Sequence, residues 1–160
     1  MERNHSLKIV FFFEYLSSYR VGLLNYLSLT HEITVYHSGI KGVVDTINFR
    51  THELKLYQFG RFRYQRLPSG LYNYDLIVCM FDLSFPIYLN FLINSRLRQK
   101  TILYNIGYGK SLLASFIKRF FYNKFPATLV YSESNAQSLI WSGVKAPKVF
   151  SVNNSIDVDV

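Results

Sequence analysis

The chain contains very little cysteine, since Cys79 is the only one among its 160 residues. A single cysteine cannot form a disulfide within the chain, which excludes the class of small secreted domains held together by disulfides and favours a reducing compartment. Cys79 lies inside the apolar run 76–81, and no histidine is near it in the sequence. We therefore predict a buried structural thiol and not a nucleophile.

A long hydrophobic run is also lacking. The segment from Phe81 to Ile93 is too short to span a bilayer and contains Asp82 and Pro86. The amino-terminal apolar run is short, is followed by Glu14 and has no small-residue cleavage site, so we interpret it as a buried strand and not as a secretion signal. We expect a cytoplasmic protein, or one bound peripherally at the inner face of the membrane.

Candidate metal ligands and catalytic constellations are equally scarce. The spacing of the histidines fits no common ligand motif, and no Ser-His-Asp arrangement can be argued. The sequence therefore predicts no metal site. The histidines are His5, His31, His37 and His52.

Acidic residues are scarce in one part of the chain. Segment 60–125 has ten Lys and Arg but only two acidic residues, Asp75 and Asp82, and so accounts for the whole net charge of +8. A one-sided basic region indicates an anionic partner, which can be a nucleic acid, an anionic membrane surface or a phosphate-bearing ligand.

Aromatic residues, in contrast, are abundant, with 14 Phe and 13 Tyr. In segment 60–73 they alternate with arginine, a pattern that can stack on and pair with nucleic acid. An exposed connection with surface arginines gives the same pattern and is the interpretation we favour. The alternating residues are Arg61, Phe62, Arg63, Tyr64 and Arg66.

Apolar runs alternate with helical patterns along the whole chain. The run Leu7–Phe13 is continuous, as in strands of a parallel sheet that are buried on both faces. Recurring strand–helix–strand units predict an α/β fold, a doubly wound, mostly parallel Rossmann-like sheet in a single domain. The predicted strands are 7–13, 32–37, 54–59, 76–81, 101–104, 128–131 and 149–152. The predicted helices are 19–29, 83–97, 111–125 and a short one around 136–140, and 39–53 is predicted to be a loop.

Segment 127–157 has the most specific pattern. Ser132 follows an apolar run and can cap a short helix, which Gly143 ends before the next apolar run. Such a unit is the smallest piece of a parallel sheet. Its characteristic residues, in order, are Ser132, Gly143, Val144, Lys148, Asn154, Ser155, Ile156 and Asp157.

The first unit adds Tyr19 and Arg20 after strand one and the letters HEITVYHSG at 31–39, and Tyr74 and Asp75 precede the strand that follows. In this order the motifs resemble the N-terminal, acceptor-side domain of family 4 glycosyltransferases with the GT-B fold. The resemblance implies that 1–157 form this domain. It also implies that 158–160 begin the linker to a C-terminal donor-binding domain that this chain lacks.

Such enzymes transfer a sugar from a nucleotide-sugar donor to a lipid-linked or saccharide acceptor in the synthesis of surface polysaccharides. The resemblance implies no cofactor in this domain, a nucleotide-sugar donor for the full enzyme, and an isolated chain that is inactive. No catalytic residue can be assigned. The alternative function is a non-catalytic, basic Rossmann-like module that binds a nucleotide or RNA, although we expect no specific nucleic acid.

Ligands of such folds bind at the loops that follow the strands. We expect the acceptor to be bound there, with Arg20 and Lys110 as electrostatic anchors for its phosphate. In the family a His faces the cleft in the loop after the fifth strand, and Ile106 stands in its place. The predicted acceptor-binding residues are Glu14, Ser17, Ser18, Arg20, Asp82, Gly107, Lys110 and Glu133.

The predicted helix 111–125 is amphipathic, with a broad stripe of Leu, Ile and Phe. Such a helix can pack on a sheet or lie in a membrane interface, and the two are compatible if the stripe is only partly covered. We predict packing, together with contact to an anionic membrane surface through Lys118, Arg119 and Lys124.

Overall fold

The structure, a computed structural model, describes residues 6–44, 46–105 and 112–152, and the side chains of all these except 112–114. Gly107, Lys110 and the motif at 154–157 lie outside the described residues, as does the predicted linker at 158–160. The strands are β1 (Lys8–Phe12), β2 (Leu16–Ser17), β3 (Glu32–His37), β4 (Ile40–Lys41), β5 (Arg50–Glu53), β6 (Leu56–Phe59), β7 (Phe62–Gln65), β8 (Leu76–Met80), β9 (Thr101–Asn105), β10 (Ala127–Val130) and β11 (Val149–Ser151). The α-helices are α1 (Ser18–Ser28), α2 (Tyr88–Ile93), α3 (Ser95–Gln99), α4 (Leu112–Lys124) and α5 (Glu133–Trp141).

A seven-stranded sheet forms the centre of the domain, in the order β11-β10-β9-β8-β1-β3-β5. Every neighbouring pair is parallel, which confirms the predicted α/β, Rossmann-like fold. The chain builds outward from β1 in one direction through β3 and β5, and in the other through β8 to β11. The boundary between β1 and β8 is therefore the topological switch point of the sheet, beside whose carboxyl ends ligands of such folds bind.

The helices lie on both faces of the sheet because the crossovers on either side of the switch point run in opposite directions. Helix α1 packs on one face, where Val21 and Leu24 meet Ile9 and Ile33. Helices α2 to α5 pack on the other face, in a larger core that includes Phe12, Phe91, Tyr122, Phe125 and Leu139.

The edge of the sheet differs from the prediction. In chain order, the third strand of the central sheet is β5 (Arg50–Glu53), which lies in the predicted loop 39–53. The predicted strand 54–59 contains β6, which pairs with β7 as an antiparallel hairpin. The predicted strand 54–59 is thus confirmed as a strand, β6, but it does not belong to the central sheet. The predicted loop 39–53 was wrong, because it contains both β4 and β5. β5 is an edge strand with mostly exposed side chains, so its sequence has no apolar run to reveal it.

The predicted helix 83–97 is interrupted at Asn94 and becomes α2 and α3. The Asn94 side chain accepts hydrogen bonds from the backbone N–H groups of Arg96 and Leu97, and so caps a new helix start. Pro86 precedes α2, so this helix begins at Tyr88 and not at 83 as predicted.

Other local signals are confirmed. Ser132 Oγ accepts from the backbone N–H of Asn135 at the start of α5, and Gly143 follows that helix with a φ of 96°. Cys79 is fully buried, as predicted. Within the described part of the chain, no helix is both long enough and apolar enough to cross a membrane.

Candidate functional site

The parallel sheet brings several predicted site residues to the side where its strands have their carboxyl ends, which we call the carboxyl edge. Glu14 follows β1, Asp82 follows β8, and Glu133 is the first residue of the helix after β10. Because the strands of a parallel sheet have their carboxyl ends on the same side, these three residues lie at the same edge. Glu14 and Asp82 are the pair that flanks the switch point.

Arg63 joins the two carboxylates at the switch point. Its Nη1 donates to Glu14 Oε1 at 2.6 Å, and its Nη2 donates to Ser84 Oγ at 2.6 Å and lies 3.9 Å from Asp82 Oδ2. Asp82 Oδ1 in turn accepts from the Ser84 backbone N–H and hydroxyl at 2.7 and 2.8 Å. Glu14 is only 6% exposed, so its contact with the Arg63 guanidinium is largely shielded from water. In such a setting a charge-assisted hydrogen bond is strong.

The hairpin β6–β7 covers this part of the edge. The backbone N–H of Arg63 donates to the Ser84 carbonyl at 2.8 Å, and Gln65 Nε2 donates to the Phe13 carbonyl at 3.0 Å and to Ser38 Oγ at 2.7 Å. The hairpin is therefore tied to the ends of β1, β3 and β8. The sequence favoured an exposed connection for 60–73, but Gln65 within this segment is fully buried.

Arg20 belongs to a second cluster, on the face of the sheet that α1 covers. It is 8% exposed; Nη2 donates to Tyr131 Oη at 2.9 Å and Nη1 to the Tyr15 carbonyl at 3.4 Å. Its guanidinium carbon lies 4.6 Å from the centre of the Phe13 ring, within cation–π range. The Nε group is buried and has no hydrogen-bond partner.

Tyr19, Tyr104 and Tyr131 lie around this guanidinium, and the pKa values of their hydroxyl groups are shifted in different directions. Burial and the hydrogen bond to Tyr131 raise the pKa of Tyr104. Burial alone would raise the pKa of Tyr131 as well, but hydrogen bonds from Tyr104, Tyr19 and Arg20 outweigh it and lower that pKa below 10.0. The hydrogen bonds of Tyr104, Tyr19 and Arg20 thus converge on Tyr131 and stabilise its ionised form.

The remaining predicted residues take separate positions. Ser17 is in β2 and Ser18 begins α1, both half-buried, while Glu133 is exposed and accepts from Gln137 on its own helix at 2.9 Å. Gly107 and Lys110 cannot be placed, because they lie outside the described residues. The structure thus joins Glu14 to Asp82 through Arg63 and sets Arg20 in a different cluster.

The residues of these two clusters that the sequence did not assign to a site are Arg63, Gln65 and Tyr131. Arg63 is 49 residues from Glu14 in the sequence, and Tyr131 is 111 residues from Arg20. The only sequence signal was the basic and aromatic alternation around Arg63, which does not indicate a partner.

Two of the three predicted membrane-binding residues border exposed aromatic side chains on α4. Phe116 is 61% and Phe120 51% exposed; the Arg119 guanidinium lies 4.9 Å from the Phe116 ring centre and Lys124 Nζ 5.3 Å from that of Phe120. We call these four residues the α4 patch.

Lys118 lies elsewhere on α4. It is half-buried, and burial lowers its pKa, although the negative charge of Asp82 raises it in part. Lys118 is therefore within electrostatic range of Asp82 and differs in this from the cations of the α4 patch.

Among the residues that the structure describes, no group of three His, Cys, Asp or Glu side chains is placed to hold a metal ion. No protein-family model matches the chain, and no curated protein matches it either. The function therefore has to be inferred from the geometry of the site and from the motifs in the sequence.

Proposed function

We propose that this chain is the acceptor-binding half of a glycosyltransferase of the GT-B type. The observation that carries the proposal is the strand order, which sets Glu14 and Asp82 side by side at the carboxyl ends of β1 and β8. Ligands of open parallel sheets bind at this position. The motif order of the sequence adds a specific resemblance to the acceptor domains of such enzymes.

The chemistry of this edge suits a saccharide. Carboxylates accept hydrogen bonds from sugar hydroxyl groups, and the Ser84 hydroxyl can both donate and accept. Arg63 holds Glu14 and Ser84 in a fixed arrangement, so a sugar would meet preorganised groups. Arg20 and Lys110 would bind the phosphate of a lipid-linked acceptor.

The α4 patch would bring the domain to the membrane in which such an acceptor resides. Exposed aromatic rings beside cations are the mixture that interfacial helices use. Each basic residue near an anionic surface contributes roughly 1 kcal/mol, so attachment would be weak and reversible. Sugar transfer also requires a donor held opposite the acceptor, which the proposal assigns to a separate donor-binding domain.

Calorimetric titration of the chain tests the proposal. The ligands are a lipid-linked saccharide with a short isoprenyl diphosphate, a panel of nucleotide sugars, and single-stranded RNA. We expect the saccharide to bind, the nucleotide sugars to bind weakly or not at all, and no sugar transfer when both are present.

Two variants test the carboxylates. Glu14→Gln and Asp82→Asn should each weaken saccharide binding about tenfold, because each removes a charged acceptor. The exposed Glu53→Gln should not.

Two results would contradict the proposal. Sustained sugar transfer by this chain would show that no second domain is needed. Tight RNA or nucleotide binding without saccharide binding would favour the alternative of a non-catalytic basic module, and variants of exposed Arg61 and Arg66 would then be the first to examine.

A further inference from the structure

One half of a sheet face carries no helix in the described part of the chain. Because the crossovers after β8, β9 and β10 all run in the same direction, α2 to α5 lie on one face of these strands, and α1 covers only the β1 side of the other. The open half presents apolar side chains that are half-buried or exposed: Leu76, Ile102, Leu129, Phe150 and Val152.

A cavity of about 410 Å³ lies between this open half and α1. Its volume is in the range of small-molecule binding sites, roughly 300 to 1,000 Å³. Strand β1 contributes Ile9 near the amino edge of the sheet and Phe13 at the carboxyl edge, so the cavity follows the length of a strand. Leu23 and Leu27 of α1 line the opposite wall.

Arg20 is the cationic side chain at the carboxyl end of this apolar cavity. It is more than nine-tenths buried, and its Nε group has no hydrogen-bond partner. The two ion pairs found among the described residues both belong to Arg63, so no described carboxylate balances the Arg20 charge. A buried guanidinium that no described carboxylate pairs is costly to remove from water, and an anion in the cavity would offset that cost.

We propose that the cavity binds a single-chain anionic lipid, with the apolar chain along the sheet and the acidic head group on Arg20 and Tyr131. The inference rests on the proposed function in one respect, because both use Arg20 to bind a phosphate. It deepens that function by naming the cavity that would hold the apolar chain, and it requires neither a sugar nor a donor. Its ligand class is an alkyl or isoprenyl phosphate, or a fatty acid, and these share a linear apolar chain and a terminal anion. A cationic amphiphile would place like charge beside Arg20, and a peptide would bring polar backbone groups against apolar walls that cannot satisfy them.

Calorimetry with octyl, decyl and dodecyl phosphate, below their micelle concentrations, tests the proposal. Affinity should rise about fourfold per added methylene group until the cavity is filled. Dodecanol should bind about tenfold more weakly than dodecyl phosphate, and dodecyltrimethylammonium more weakly still. A parallel titration with dodecanoate distinguishes a carboxylate from a phosphate head group.

Two variants separate head-group recognition from packing. Arg20→Met keeps an unbranched side chain on the Phe13 ring, and it should lower dodecyl phosphate affinity about tenfold while leaving dodecanol affinity unchanged. Leu129→Trp should fill the cavity and abolish binding of both, even if Arg20→Met fails to fold. Leu29→Gln is the matched control, because Leu29 is 75% exposed on the chain just after α1 and does not line the cavity.

Three results would overturn the inference. The first is equal affinity for the phosphate and the alcohol, and the second is affinity that does not depend on chain length. The third is a dimer in sedimentation velocity that Leu129→Trp dissociates, which would mean that a second copy of the chain covers this face. If alkyl phosphates fail to bind but the lipid-linked saccharide binds and Glu14→Gln weakens that binding, the inference fails and the proposed function stands.

Discussion

Arg63 Nη1 lies 2.6 Å from Glu14 Oε1, and this ion pair fastens the β6–β7 hairpin to the carboxyl end of β1. The Glu14 side chain is 8% exposed, whereas that of Arg63 is 31% exposed. The two partners therefore depend on each other unequally. Glu14 without Arg63 would be a buried carboxylate, but Arg63 without Glu14 could still reach water.

This asymmetry predicts the effect of breaking the pair. Arg63→Met should lower the free energy of unfolding by about 2 kcal/mol, because it leaves the Glu14 carboxylate buried without its counterion. The double variant Arg63→Met with Glu14→Gln should recover most of that loss. Urea unfolding of the wild type, both single variants and the double variant measures the coupling, and additive effects would show that the pair does not stabilise the fold.

The burial of His37 predicts that the free energy of unfolding depends on pH. Burial lowers the pKa of His37 below 6.5, although the negative charge of Glu53 raises it in part. The His37 Nδ1 accepts a hydrogen bond from the Gly39 N–H at 3.0 Å, which only the neutral form of the ring can do at that nitrogen. The unfolded chain then binds a proton more readily than the folded chain, so the stability due to neutral His37 is present above pH 6.5 and is lost as the pH falls below it.

The measurement is urea unfolding from pH 7.5 to 5 in about half-unit steps, with His37→Asn as the reference, since an amide oxygen can still accept from Gly39. The wild-type stability should fall more steeply with decreasing pH than that of the variant, by at most about 1.4 kcal/mol per pH unit. Parallel curves would mean that His37 titrates alike in both states.

Cys79 should be unreactive in the folded protein. The thiol is fully buried, and burial raises its pKa, so the reactive thiolate is suppressed both sterically and electrostatically. Labelling with a disulfide reagent should be at least about a thousandfold slower in native buffer than in urea, because it requires unfolding. Fast labelling of the native chain would place Cys79 at an accessible surface.

The α4 patch predicts that the protein binds anionic membranes. Phe116→Ser combined with Phe120→Ser should reduce flotation with anionic liposomes at low salt about tenfold, because two exposed rings no longer enter the interface. Phe59→Ser combined with Leu29→Ser is the matched control, as both side chains are more exposed than those of the patch. Replacing Arg119 and Lys124 by Glu should also release the protein, whereas Lys118→Gln, which is near Asp82, should have a smaller effect. Equal flotation of patch and control variants would mean that the patch does not bind membranes.

The sequence by itself was sufficient for the class of fold and the central strands. β1 and β8 are buried on both faces, so their residues are almost continuously apolar and can be recognised without any partner. Helix limits at Ser132 and Gly143 were equally readable, because capping and left-handed glycine geometry are local properties.

Tertiary structure alone decided the edge strand and the site. β5 is held by hydrogen bonds to β3 and not by burial, so its four residues carry no apolar signature. Glu14 could be predicted at the carboxyl edge, but its pairing with Arg63, like that of Arg20 with Tyr131, joins distant parts of the chain. Contacts of this kind depend on how separate elements pack, and no local spacing of residues encodes that packing.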